Sequence, residues 1–359
     1  MKRIGKRKMF SLENELLVMI SQIDISDNEV DKIDILCSKE LNWQYIVAQA
    51  ARNKVVCLLY FHLYQNRKIF KIDDWIYKII EKYYMATRDV LRIFNKEMID
   101  ICSTLNERNI LYAILKGVNL QERLYAQKPR CIREFEDIDI LVKKQDIKNI
   151  QSILRNKGYA QGKFDFMNER IESISRQEEL YWRLHTNQIG KFIKIIQNGK
   201  VTQGDICTVD VNFTIFEGGK KNDKIKTEQL LNNVTSTGAK KYNVLNTEYD
   251  FLQVCYHFYK DIFYENKIDS RNDYILAKFC DVKEYVSQYR TIIDWKHLTD
   301  MIKEYDLNEA IYSTLFLVSK LYTNLNIDEI LQNIKVDNVH EINTLVNMDE
   351  YIRGMIFRL

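Results

Sequence analysis

Between Ile132 and Val142 the chain reads Ile-Arg-Glu-Phe-Glu-Asp-Ile-Asp-Ile-Leu-Val, and the aspartate–isoleucine alternation within it is the tightest constraint the sequence places on the fold. Strict alternation over so short a stretch marks a half-buried β-strand, whose successive side chains point to opposite faces. Ile138 and Ile140 then face a core, while Asp137 and Asp139 share the other face, roughly 6.6 Å apart along the strand. Two carboxylates held side by side repel each other unless something positive sits between them. A divalent cation is the usual answer, and hard oxygen ligands favour Mg²⁺, above all where phosphates complete its coordination. Taken alone, the same pair is also what a solvated sheet edge looks like, because edge strands carry charge that discourages pairing with other chains.

The flanking segments add to the pattern. Ile110 to Leu115 is apolar and β-prone, and it stops at Lys116-Gly117; Val118 to Ala126 follows with helical spacing. A strand, a glycine-containing turn and a helix together offer backbone N–H groups at the helix start to an anion. Gly117 would let a phosphate approach closely and Lys116 would add a point charge. An ordinary turn glycine beside a solvated lysine would spell the same letters. Downstream, Ile206 to Ile215 reads as a second acidic strand, with Asp210 and Asn212 on one face and Val209, Val211 and Phe213 on the other. Asp210 is the candidate third carboxylate, or else part of a half-exposed polar face.

In the order Leu115-Lys116-Gly117, Leu124-Tyr125, Arg133, Asp137-Ile-Asp-Ile-Leu-Val142 and Lys157-Gly158-Tyr159, the chain resembles the uncharacterised nucleotidyltransferase family of the polymerase-β-like superfamily. The likeness extends outward to Trp43–Leu63, to Phe251–His257, and to Asp281 with Asp294-Trp295. Two departures stand out. The superfamily's first motif is usually Gly-Ser or Gly-Gly, whereas this chain has Gly117-Val118 and so no hydroxyl at the turn. The later acidic strand often carries His two residues after its acid, whereas here Asn212 follows Asp210.

The resemblance implies an α+β fold: a polymerase-β-like core, with a small mixed sheet and flanking helices, between N-terminal and C-terminal helical regions. It also implies two-metal nucleotidyl transfer. Asp137 and Asp139 would hold Mg²⁺ on a nucleoside triphosphate, and Asp210 would bind a second Mg²⁺ and help deprotonate the acceptor. Attack at an α-phosphorus needs positioning and charge neutralisation more than covalent help from the protein. Lys116 and Arg133 are the candidates for the β- and γ-phosphates, where charge accumulates as pyrophosphate departs. Arg133 is equally placed to be a structural partner of Glu134 or Glu136. ATP is the expected donor only because it is the common cosubstrate.

With 359 residues the chain has room for two or three substructures. The periodicities divide it into a helical region over 1–109, a core of alternating strands and helices over 110–245, and a second helical region over 246–359. A single long helix is predicted from Asp73 to Arg108, and strands near 159–166, 180–189, 191–197 and 205–216. Residues 167–179 form a lid or a packed helix, and His185 lies in one of the predicted strands. Lys plus Arg total 53 against 50 Asp plus Glu, so no global basic footprint of a dedicated nucleic-acid binder exists. Local basic clusters occur at Lys2, Arg3, Lys6, Arg7 and Lys8, and at Lys220, Lys221, Lys224 and Lys226 after Gly218-Gly219. The seven cysteines show no metal-type spacing and read as reduced core thiols. No apolar run approaches a membrane span and Glu13 and Glu15 interrupt any signal-like segment, so the expected location is the cytoplasm.

The expected activity is therefore transfer of a nucleotide to an acceptor hydroxyl or phosphate. A small molecule, peptide or protein acceptor is favoured over nucleic acid, and no membrane partner is expected. Two alternatives stay open: a non-catalytic nucleotide-binding scaffold, and a toxin-type nucleotidyltransferase acting on tRNA.

Overall fold

Serines open the first two helices. Ser11 accepts the Asn14 N–H at the head of α1 (Leu12–Ile20), and Ser26 forms a reciprocal capping box with Glu29 at the head of α2 (Asp27–Cys37). The computed structural model describes residues 11–126, 131–196, 205–215, 225–237, 242–263, 274–322, 325–334 and 348–357. The N-terminal basic cluster, Pro129, Gly218-Gly219 and the lysines at 220, 221 and 224 lie outside them. Helices α3 (Trp43–Arg52) and α4 (Val56–Gln65) follow, then α5 (Asp74–Glu107), a single 34-residue helix. With no proline to interrupt it, α5 runs about 51 Å. Its bounds agree with the predicted ones to a residue.

Next come β1 (Tyr112–Leu115), α6 (Lys116–Arg123), β2 (Ile138–Val142), α7 (Ile147–Asn156), β3 (Ala160–Asp165), β4 (Arg170–Ser173), α8 (Arg176–His185), β5 (Phe192–Ile195) and β6 (Ile206–Asn212). After α9 (Thr227–Asn232), β7 (Val234–Ser236) and β8 (Asn243–Leu245) are the last strands among the described residues, and α10 (Thr247–Phe263) and α11 (Leu276–Tyr289) begin the C-terminal helices. Gly158, at φ +85°, ends α7 in the left-handed conformation that helix termini favour. The eight strands form one mixed sheet in the order β4-β3-β5-β6-β2-β1-β8-β7. Central β2 runs antiparallel to β1 and parallel to β6. This α+β architecture, a mixed sheet flanked by helices, is the expected fold class.

Each face of the sheet has its own core. On one, Ile138, Ile140, Val209 and Val211 pack against Leu91, Phe94, Met98 and Ile101 of α5 and against Ile150 and Leu154 of α7. The other core reaches the sheet through Ala113, Leu115, Leu141 and Leu245 and joins the N-terminal helices to the C-terminal ones. Polar ties cross it: Glu284 accepts the Ile23 N–H at 2.8 Å, and Asn53 accepts the Leu276 N–H at 3.1 Å.

One segment departs from expectation. The predicted strand near 180–189 is mostly α8, because Ser175 and Glu178 form a capping box that starts a helix at Arg176. Residues 170–173 of the expected lid form β4, paired with β3.

Candidate active site

The β2–β6 ladder brings the acids together. Its parallel register sets Asp139 directly opposite Asp210, and Leu141 opposite Asn212. Ladder partners share a sheet face, and residues two apart along a strand return to it. Asp137, Asp139, Asp210 and Asn212 therefore line one face, while the intervening apolar residues fill the core behind. The predicted alternation is what places all three carboxylates on this face.

Lysines neutralise the cluster. Lys116 Nζ stands 3.2 Å from Asp139 Oδ1, and Asn212 Nδ2 donates to the same oxygen at 3.1 Å. Lys191, which immediately precedes β5, puts its ammonium 3.6 Å from both Asp137 Oδ2 and Asp210 Oδ2. Asp139 and Asp210 are 4% and 7% exposed, whereas the Asp137 side chain is one-third exposed, at 34%. Burial pushes the Asp210 carboxyl up, the neighbouring Asp137 charge adds to it, and the result is about 7 despite Lys191. Burial also raises Asp139, with Lys116 opposing. Burial is the largest influence on both lysines and acts to lower them, but the neighbouring carboxylates together outweigh it, Asp139 and Asp137 at Lys116 and Asp210, Asp137 and Asp139 at Lys191, so both are raised and stay protonated. One acceptor has nothing to accept: Asp210 Oδ1 is buried without a hydrogen-bond partner. Among the described residues no three ligating side chains are gathered closely enough to hold a cation as they stand, because ammonium groups supply the counter-charge.

Lys116 opens α6 directly from β1, at φ +45°, a strained backbone for a residue with a side chain. No side chain caps that helix start, although Gly117, Val118 and Asn119 of its first turn are buried. A buried polar network fixes α6 from below. Asn119 donates to Asp250 at 2.8 Å, and Arg123 donates to the Tyr285 hydroxyl and the Leu245 carbonyl, each at 2.7 Å. Beyond Lys116 a narrow cleft is lined by Asn187, Asn212, Gln253, His257 and Lys260.

Two expected phosphate contacts are placed differently. A Cβ on Gly117 would lie 2.7 Å from the Phe135 Cβ, so the glycine admits Phe135 against the helix. Arg133 is not on the acid face. Its Nε and Nη2 form a two-pronged pair with Asp281 at 2.8 and 2.7 Å, its Nη1 reaches the Glu134 carbonyl, and Tyr125 donates to the same Asp281. It is a structural arginine, as the alternative reading held, but its partner comes from α11 rather than from Glu134 or Glu136. Glu136 instead pairs with Lys54 at 3.0 Å, and Glu134 accepts the Cys57 N–H and the Tyr83 hydroxyl. His185 lies on α8 with its ring 4.9 Å from that of Tyr181.

Lys191 was not among the residues singled out from sequence, and neither was the amide contact of Asn212. A lone lysine before a short strand carries no local signal; its role follows from β5 pairing with β6, which the sequence does not declare.

An acid on a central strand with a second just before it, a third acid on the parallel neighbour, and an uncapped helix start beside them are the frame of a nucleotidyltransferase core. Residues 39–323 match the sequence model of the family described as uncharacterised nucleotidyltransferase, and the chain belongs to that family. No curated protein matches it. Among the described residues no helix is long and apolar enough to cross a membrane.

Proposed function

We propose that this chain moves a nucleoside monophosphate, with ATP the first donor to test, onto an acceptor, releasing pyrophosphate at the face made by Asp137, Asp139 and Asp210. The observation that carries the reading is the Asp139–Asp210 ladder pair with a buried, unpartnered oxygen on Asp210. An orphaned carboxylate oxygen in a cluster of hard oxygen donors fits Mg²⁺. Asp137, Asp139 and Asp210 would hold it, displacing ammonium groups as the counter-charge. Bound there, divalent cations supply neutralisation of the phosphate oxygens and of the entering and leaving groups.

The rest of the chemistry belongs to side chains. The Lys116 ammonium at the start of α6 faces a triphosphate, whose charge grows toward the leaving pyrophosphate. Asn212 and Lys116 hold Asp139 in one orientation, and Asn187 donates to the Asn212 amide oxygen at 3.4 Å, which turns the Asn212 nitrogen toward Asp139. The cleft lined by His257 and Lys260 continues beyond Lys116.

Calorimetric titration with MgATP, and transfer of label from α-labelled ATP into a cell-extract acceptor fraction with release of pyrophosphate from γ-labelled ATP, test the reading. Asp137→Asn and Asp139→Asn are each expected to cut transfer by at least about 10³-fold and to abolish the rise in melting temperature that Mg²⁺ produces. Full activity in both variants would refute the site. Nucleotide binding with no turnover on any acceptor would instead favour the non-catalytic scaffold.

A further inference from the structure

A cavity of about 840 Å³ opens beside the acids, between the N-terminal half of α5 and the β3–β5 edge of the sheet. Pleat parity fixes its relation to the chemistry. Thr208 lies two residues before Asp210 on β6 and so on the same face, and its ladder partner Ile193 lies two residues after Lys191. Ile193, Thr208 and Lys191 all line the cavity. Along β6, then, Asn212 leads to the Lys116 cleft, Asp210 sits at the acids, and Thr208 leads into the cavity. The triphosphate side and the cavity flank the acids from opposite ends.

The wall chemistry is apolar and aromatic: Tyr83, Phe94, Phe135, Phe164, Phe166 and Trp182 contribute to it. Its charges are largely matched within the protein. Lys54 pairs with Glu136 at 3.0 Å and Lys163 with Glu178 at 3.6 Å, so the walls offer no basic track for a polynucleotide backbone. The volume lies in the range of small-molecule sites, where apolar walls bury the body of a ligand and a few polar groups fix its reactive end. Here the polar end is Lys191, which touches both Asp137 and Asp210.

We infer that this cavity holds the acceptor, a small molecule whose largely apolar, ring-bearing body lies against Trp182 and Phe164 and whose single hydroxyl points to Lys191 and Asp210. The inference rests on the nucleotidyl-transfer reading and names its second substrate. The acceptor oxygen forms the new bond to the α-phosphorus as the bond from that phosphorus to the bridging oxygen breaks. The hydroxyl proton is given up to solvent water at the mouth of the site, and the electron pair of the broken bond leaves with pyrophosphate.

Ala86 gives a clean test, because it is a solvent-exposed residue of α5 that lines the cavity wall. Ala86→Trp should fill the space without touching either core. The probe is anilinonaphthalene sulfonate, read by its fluorescence and by energy transfer from tryptophan in the full-length chain. Wild-type protein is expected to bind it at one site, and Ala86→Trp to weaken that binding at least about tenfold, with MgATP affinity and melting temperature unchanged. With α-labelled ATP and a small-molecule extract, label should move into a butanol-soluble product, and Ala86→Trp should lose that product through a raised acceptor KM. Probe binding that ignores Ala86→Trp, or label found on tRNA or on protein, would overturn the inference. The two readings fail separately: loss of MgATP binding and transfer with the probe site intact sinks nucleotidyl transfer, whereas transfer that survives a filled cavity sinks only the acceptor site.

Discussion

Asp210 is the residue at which burying a carboxylate costs stability. Its carboxyl is raised in the folded protein by burial and by the Asp137 charge, to about 7, while in the unfolded chain it returns to the ordinary range near 4. The native state therefore binds the extra proton. The favourable contribution is complete below pH 4 and disappears as pH rises through 7, so metal-free protein should lose stability over that interval. Asp210→Asn removes the dependence. In urea titrations with a chelator present, the stability of the variant relative to wild type should rise by about 4 kcal/mol between pH 4 and pH 8. A wild-type-minus-variant difference that is flat with pH would contradict the assignment. Lys191 makes the complementary case. Lys191→Met leaves Asp137 and Asp210 facing each other without their shared cation, and should cost roughly 1–2 kcal/mol at pH 8, a modest figure because the lysine is 40% exposed. Mg²⁺ should raise the melting temperature of Lys191→Met by more than it raises that of wild type.

At the scale of elements, α6 is held by what it excludes as much as by what it binds. Gly117 gives its space to Phe135, so Gly117→Ala must push either the helix or the strand that follows Phe135. A loss of about 2 kcal/mol is expected from denaturant midpoints, with weaker MgATP binding because Lys116 moves with the helix. An unchanged midpoint would show the packing to be soft. Elements also decide what could be read from the letters. Asp137 and Asp139 were legible because alternation with Ile138 and Ile140 is a local rule, and Asp210 was legible for the same reason. α5 was legible from its stripe and its lack of proline. The helix α8 was misjudged because Tyr181 to His185 alternates over five residues, although Ser175 and Glu178 already spelled a helix start. Arg133 was misplaced because its partner Asp281 is 148 residues away, and no local pattern announces such a pair. Lys191 was missed for the same kind of reason: its importance is created by strand order.

For the molecule as a whole, the N-terminal helices share one core with the C-terminal helices, and α5 enters both that core and the one behind the acids. The N-terminal and C-terminal helices cannot come apart without exposing the core they share. Unfolding should be one transition, with tryptophan fluorescence and far-ultraviolet circular dichroism giving coincident midpoints in urea; separated midpoints would mean that the helical layers melt independently. The pair of lysines among the acids has a consequence on this scale too. Domains built around structural zinc wait for their ion before they can form. Here the Lys116 and Lys191 side chains already supply positive charge to the acids, so the fold is complete without a metal. On the proposed reading, metal loading would be an exchange of tenants rather than a step in construction.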